Sequence, residues 1–74
     1  MRVEVAVEVG TYAVDARDGR VGEVVGHVGG CVRLRPPGGG REWDVPWPVV
    51  TPAPPGVALR ARVRALNRAA RRGV

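Results

Sequence analysis

Lysine is absent from this 74-residue chain, so all twelve basic residues are arginine. Alongside the abundant valine, alanine, glycine and proline, this is the bias of coding sequence rich in G and C, and the choice of arginine over lysine therefore carries little meaning of its own. One cysteine, Cys31, excludes an internal disulfide. No charged segment followed by an apolar one opens the chain, so a cytoplasmic protein without a leader is expected. Long apolar runs are also missing. Arginines, carboxylates or glycines interrupt every valine cluster well short of the roughly 20 residues a bilayer needs, and no membrane span is expected.

The aromatics number three, Tyr12, Trp43 and Trp47. A chain this short closes a single core and buries roughly 60% of its unfolded surface, which leaves a net stability of about 3–5 kcal/mol. Charge is divided unevenly along it. Residues 1–55 carry six arginines against seven carboxylates, whereas residues 56–74 carry six arginines and no carboxylate. Such asymmetry between the two ends points to an anionic partner for the basic one.

Alternation with a period of two runs through the first part. Val3, Val5, Val7 and Val9 oppose Arg2, Glu4, Ala6 and Glu8, which predicts a half-buried strand over 2–9. Thr11 to Val14 reads as extended. Asp15-Ala16-Arg17-Asp18-Gly19 supplies turn chemistry, and a strand is predicted from Arg20 to Val28, bent or bulged at Gly22 and Gly26. After Gly29-Gly30, Cys31 to Arg35 alternates again, and Arg41 to Val45 does so beyond the loop Pro36-Pro37-Gly38-Gly39-Gly40.

Pairing those two segments as a hairpin sets Arg35 opposite Glu42, Arg33 opposite Asp44, Leu34 opposite Trp43 and Val32 opposite Val45. One face is then apolar and the other charge-paired, so a slip by one residue is disfavoured. Prolines 46, 48 and 52 exclude a central strand afterwards but permit a 3₁₀ turn at Trp47 and a short edge strand over 49–51.

These elements predict a mainly β fold, a small SH3-like barrel of about five strands over residues 1–52, with Val5, Val7, Val24, Val32, Leu34, Trp43 and Val45 in its core. A stiff proline spacer follows over 53–56. Residues 57–74 form an arginine-rich amphipathic helix, regular over about 57–72. Leu59, Val63, Leu66 and Ala70 make its apolar seam and Arg60, Arg64, Arg68 and Arg71 its basic face.

Catalysis is not expected. Glu42 and Asp44 share a face but stand opposite arginines that keep them ionised. His27 and Cys31 find no further histidine or cysteine with which to hold a metal, and the triglycine lacks the Lys-Ser/Thr and helix of a phosphate loop. No cofactor is implied. Tyr12 and Trp47 are the candidate exposed platform for a base or a proline-rich peptide, Trp43 being the core tryptophan.

The run Gly19-Arg20-Val21-Gly22-Glu23-Val24-Val25-Gly26, then Val32-Arg33-Leu34-Arg35-Pro36 and Gly39-Gly40-Arg41-Glu42-Trp43-Asp44-Val45, resembles a set of short uncharacterised actinobacterial proteins with a V-x-LRP and GGG-x-EWDV core. The likeness covers about residues 10–53. The same stretch more loosely resembles SH3-like barrels of the KOW and Tudor kind. That resemblance implies a module attached to the transcription or translation machinery, although the barrel here is slightly acidic and lacks the lysines usual in a KOW element.

The expectation is a non-enzymatic binding or regulatory module that contacts nucleic acid, or an acidic protein surface, through Arg60, Arg64, Arg68 and Arg71. The alternative is a protein–protein adaptor or homo-oligomer joined through the apolar seam. A third arrangement folds the helix back on Glu4, Glu8 and Glu23 and masks the arginines in cis.

Overall fold

Valines alternating with polar residues form half-buried strands, and glycines at the corners let those strands bend around one small core. A computed structural model describes residues 7–72. It contains β1 (Tyr12–Asp15), β2 (Arg20–Val28), β3 (Cys31–Arg35), β4 (Trp43–Pro46), a 3₁₀ turn (Trp47–Val49), β5 (Val50–Pro52) and α1 (Pro55–Arg72). The strands form one antiparallel sheet in the order β4-β3-β2-β1-β5. The first four follow one another as a meander, and the last returns beside the first.

Only the 3₁₀ turn separates β4 from β5, the two outer strands of that order. A three-residue link cannot span a flat five-stranded sheet, whose outer strands lie about 19 Å apart, so the sheet curls until its ends approach. One side-chain contact seals the curl: the Trp43 indole Nε1–H of β4 donates to Asp15 Oδ2 of β1 at 3.0 Å. The Ala16 amide, donating to the Val49 carbonyl at 2.8 Å, extends the β1–β5 pairing into the 3₁₀ turn. The result is the small SH3-like barrel expected from the sequence.

Val7, Ala13, Val24, Val32, Leu34, Val45 and Val50 fill it, with Trp43, Trp47 and Val49 packed against them. Trp43 is thus half-buried at the barrel wall rather than enclosed, because its ring spans the opening between β4 and β1. Gly22 makes room for it. A methyl group there would fall 2.8 Å from Leu34 Cβ and 2.9 Å from Trp43 Cη2. The Arg20 guanidinium lies over the same indole, 3.8 Å from its centroid.

The β3–β4 register is the one anticipated, with Val32 opposite Val45, Arg33 opposite Asp44 and Leu34 opposite Trp43. Arg33 Nε reaches Asp44 Oδ1 at 2.9 Å. Arg35 departs from expectation. Because β4 begins only at Trp43, Glu42 lies outside the ladder, and Arg35 pairs instead with Glu23 of β2 at 3.3 Å. A register shift between Val24 and Gly26 realises the expected bulge. It bends β2, whose first part pairs with β1 and whose second part pairs with β3.

The amino-terminal expectation needs correction where it can be compared. Arg2, Val3, Glu4, Val5 and Ala6 lie outside the described residues. Val7 is buried as predicted, but residues 7–10 form a bend and turn, and Val9 is 62% exposed. Gly10 at φ +96° turns the chain into β1.

The spacer is shorter than predicted. Helix α1 starts at Pro55, leaving only Ala53 and Pro54 between barrel and helix. Pro55 sits in the first helical turn, where its fixed φ suits the helix and its missing N–H costs nothing. The Pro54 carbonyl accepts the Ala58 N–H at 2.8 Å, the first bond of the helix. Far from trailing away, α1 packs back on β1 and β2.

Candidate anion-binding groove

Along β1 and β2 the residues facing inward are Ala13, Asp15, Gly22 and Val24, so Val14 and Val21 point outward and pair across the strands. Helix α1 packs beside this outer apolar pair, which stays half-buried. Ala61, 7% exposed, is the one buried residue of the helix among those described, and its small side chain lets helix backbone near sheet.

That contact fixes the rotation of α1 about its axis, and the rotation is opposite to the one amphipathicity suggests. Residues on the Ala61 side go toward the barrel, and with 3.6 residues per turn these include Arg64 and Arg68. The seam of Leu59, Val63 and Leu66 is left facing solvent, at 62%, 47% and 61% exposure, and Ala70 is exposed with it. The leucines are outside, and the arginine face borders the sheet.

All four predicted arginines come together. Arg60, Arg64, Arg68 and Arg71 line one groove of about 1330 Å³ between α1, the Val14–Val21 patch and the β3–β4 loop. Two of them lean on that loop. Arg68 Nε donates to the Pro37 carbonyl at 3.4 Å, and the Arg64 guanidinium rests on Gly38, where an added methyl would lie 2.6 Å from it. The triglycine run thus provides a seat for two arginine side chains. No sequence motif announces this function, although bare backbone opposite a basic helix is the one sign of it.

Among the described residues no carboxylate comes within salt-bridge distance of these four arginines, and none lines the groove. The masking arrangement is met only in part. The helix folds back, but Glu23 is taken by Arg35, and Glu8 has no helix arginine beside it among the described residues. Glu4 lies outside them.

The barrel's own carboxylates are engaged elsewhere. Asp15, 2% exposed, accepts Arg17 Nε at 3.0 Å, Arg17 Nη2 at 2.9 Å, the Arg17 amide at 3.0 Å and the Trp43 indole. The Arg17 guanidinium, with the Trp43 and Arg17 N–H groups, holds its carboxyl well below the usual carboxylate range and outweighs the opposing effect of burial. Arg33 likewise lowers Asp44 by hydrogen bond and charge. A buried acid this firmly ionised has no proton to lend, so it acts as a structural clasp.

Tyr12 and Trp47 are not brought together as a platform. Tyr12 is half-buried on the outer face of β1. Trp47 is half-buried against the core, and its neighbouring ring is His27, 5.4 Å away between centroids. Tyr12, Trp43 and Trp47 all lie off the groove. His27 Nε2 hydrogen-bonds the Val7 carbonyl at 2.9 Å, which ties the amino-terminal bend to β2. Among the described residues, no group of three histidine, cysteine or acidic side chains converges as a metal site would require, and no helix is long and apolar enough to cross a membrane. No known family, curated protein or solved structure matches the chain.

Proposed function

We propose that this chain is a non-enzymatic binding module whose recognition element is the groove beside α1, and that its partner is an anion-rich polymer, a nucleic acid or an acidic protein surface. The reading rests on one observation. Arg60, Arg64, Arg68 and Arg71 converge without a carboxylate partner among the described residues, whereas the Asp15, Glu23 and Asp44 carboxylates each have an arginine of their own. Arginines left uncompensated along one helix attract anionic groups, and the attraction weakens with salt. In its fuller form the module is an accessory of the transcription or translation machinery, with the barrel contacting protein.

Fluorescence anisotropy of a short duplex DNA, a single-stranded RNA and polyglutamate, titrated with the protein across a salt series, tests this. Binding to at least one polyanion is expected. If the partner is nucleic acid, replacing both Arg60 and Arg71 by alanine flattens the log–log salt slope by roughly one unit per arginine. Absence of binding to all three at about 50 mM salt would refute the proposal. A second reading, an adaptor or homo-oligomer joined through the seam, draws support from the exposure of Leu59, Val63 and Leu66.

A further inference from the structure

On α1 the apolar residues Leu59, Val63, Leu66 and Ala70 advance by four, three and four positions. Arg60, Arg64, Asn67 and Arg71 do the same, one residue behind. The helix therefore carries two parallel rails, one apolar and one basic, each repeating about every 5 Å along the axis. The rails meet on one flank, since Leu59 and Val63 line the groove together with Arg60, Arg64, Asn67 and Arg71, and the Val14–Val21 patch forms its far wall.

We propose that this flank is the docking site for an acidic amphipathic helix of a partner protein, whose apolar row lies on Leu59 and Val63 and whose glutamates or aspartates meet the arginine rail. The inference rests on the anionic-partner reading above and specifies its chemistry.

Four observations select this occupant. First, the groove, at about 1330 Å³, exceeds the roughly 300–1,000 Å³ of small-molecule sites and suits a polymer segment. Second, a helix presents side chains with the same four-three period as the rails, whereas one face of an extended strand repeats at about 7 Å and falls out of step. Third, no aromatic side chain lines the groove, so single-stranded nucleic acid finds no surface on which to stack its bases, and its phosphates would leave the apolar rail uncovered. The phosphates of a duplex would leave the apolar rail uncovered in the same way. Fourth, a second copy of α1 brings six arginines and no acid over residues 56–74, so it repels the first. The rails from Leu59 to Arg71 measure about 18 Å, which a partner segment of about 12–15 residues covers.

The test uses the full chain and a labelled amphipathic peptide of about 15 residues with leucines on the four-three pattern and glutamates on one flank. A scrambled peptide of the same composition, duplex DNA and single-stranded RNA serve as the other arms. The ordered peptide is expected to bind at least about tenfold more tightly than the scrambled one. The L59S/V63S pair and the R60E/R64E pair should each weaken it about tenfold, and a peptide with lysines in place of glutamates should recover binding to the second pair. These side chains lie outside the core, and circular dichroism of each variant verifies the fold. Equal binding of scrambled and ordered peptides, or indifference to L59S/V63S, overturns this inference and leaves the anionic-partner reading standing. Failure of every polyanion to bind at about 50 mM salt overturns both. Sedimentation showing self-association that L59S/V63S abolishes overturns it in favour of a second copy.

Discussion

The arginines of the barrel and those of the helix obey different rules. Arg17, Arg33 and Arg35 each meet a carboxylate on the same turn or the neighbouring strand, at 2.9–3.3 Å, and in doing so fix a turn or a strand register. The four on α1 line a groove in which no acid answers them among the described residues. One residue type thus serves as internal fastening in one region and outward attraction in the other. Net charge summed over the whole chain hides this, because it does not distinguish charges already spent on neighbours from charges still available.

The contrast breaks most visibly at Asp15. Replacing it by alanine strips the Trp43 indole and the Arg17 amide of their acceptor and should cost about 2–3 kcal/mol, much of the stability of so small a domain. Urea unfolding followed by tryptophan fluorescence reads this directly, and a loss below about 0.5 kcal/mol would place Asp15 with ordinary surface acids. The pH dependence has a definite sign. The Asp15 carboxyl ionises at lower pH in the folded chain than in the unfolded one. Its stabilisation is therefore complete above the unfolded value of about 3.9 and is lost as pH falls from there toward the folded value. Asp15→Asn should lack that portion of the acid-side slope.

A smaller loss, about 2 kcal/mol, is expected for Gly22→Ala. The new methyl must displace Leu34 or the Trp43 ring, both part of the wall that Asp15 clasps. Retained stability with a shifted tryptophan emission maximum would mean that the ring moves aside while the clasp holds.

The smallest stability effects should divide the two sets of arginines most cleanly. Arg33→Ala lowers the urea midpoint at low salt, and the deficit shrinks as salt rises, because the Arg33–Asp44 pair is half-exposed. Arg60→Ala leaves the midpoint unchanged at every salt concentration and reduces only binding to a polyanion. A midpoint that falls for Arg60→Ala would show that its charge is spent internally after all.

The strands were legible wherever alternation and opposite charges coincided. Arg33 and Asp44 flanking Leu34 and Trp43 leave a single sensible register, and that register is observed. Arg35 has two glutamates in range by sequence, Glu42 and Glu23, and only the start of β4 at Trp43 decides between them. The helix was legible in existence but not in orientation. A leucine seam normally faces inward. Here the outward patch on the sheet is only a valine pair, and it accepts the small Ala61 rather than the leucines. At Asp15 the local pattern shows turn chemistry alone. The turn is present, since Asp15 Oδ1 accepts the amide two residues on, but the reach of Trp43 from the opposite strand is a long-range contact that no local pattern carries.

The two-residue link between β5 and α1 turns the helix from an appendage into a lever. Ala53 donates to the Tyr12 carbonyl at 3.0 Å, and the Val50–Pro52 strand just before it pairs with β1. Any tilt of α1 is passed through Pro54 and the helix's own first residue, Pro55, to the shortest strand of the barrel. Strain imposed on the helix is therefore felt first as slackening at the Ala53 amide, where hydrogen exchange would quicken before the rest of the barrel had moved.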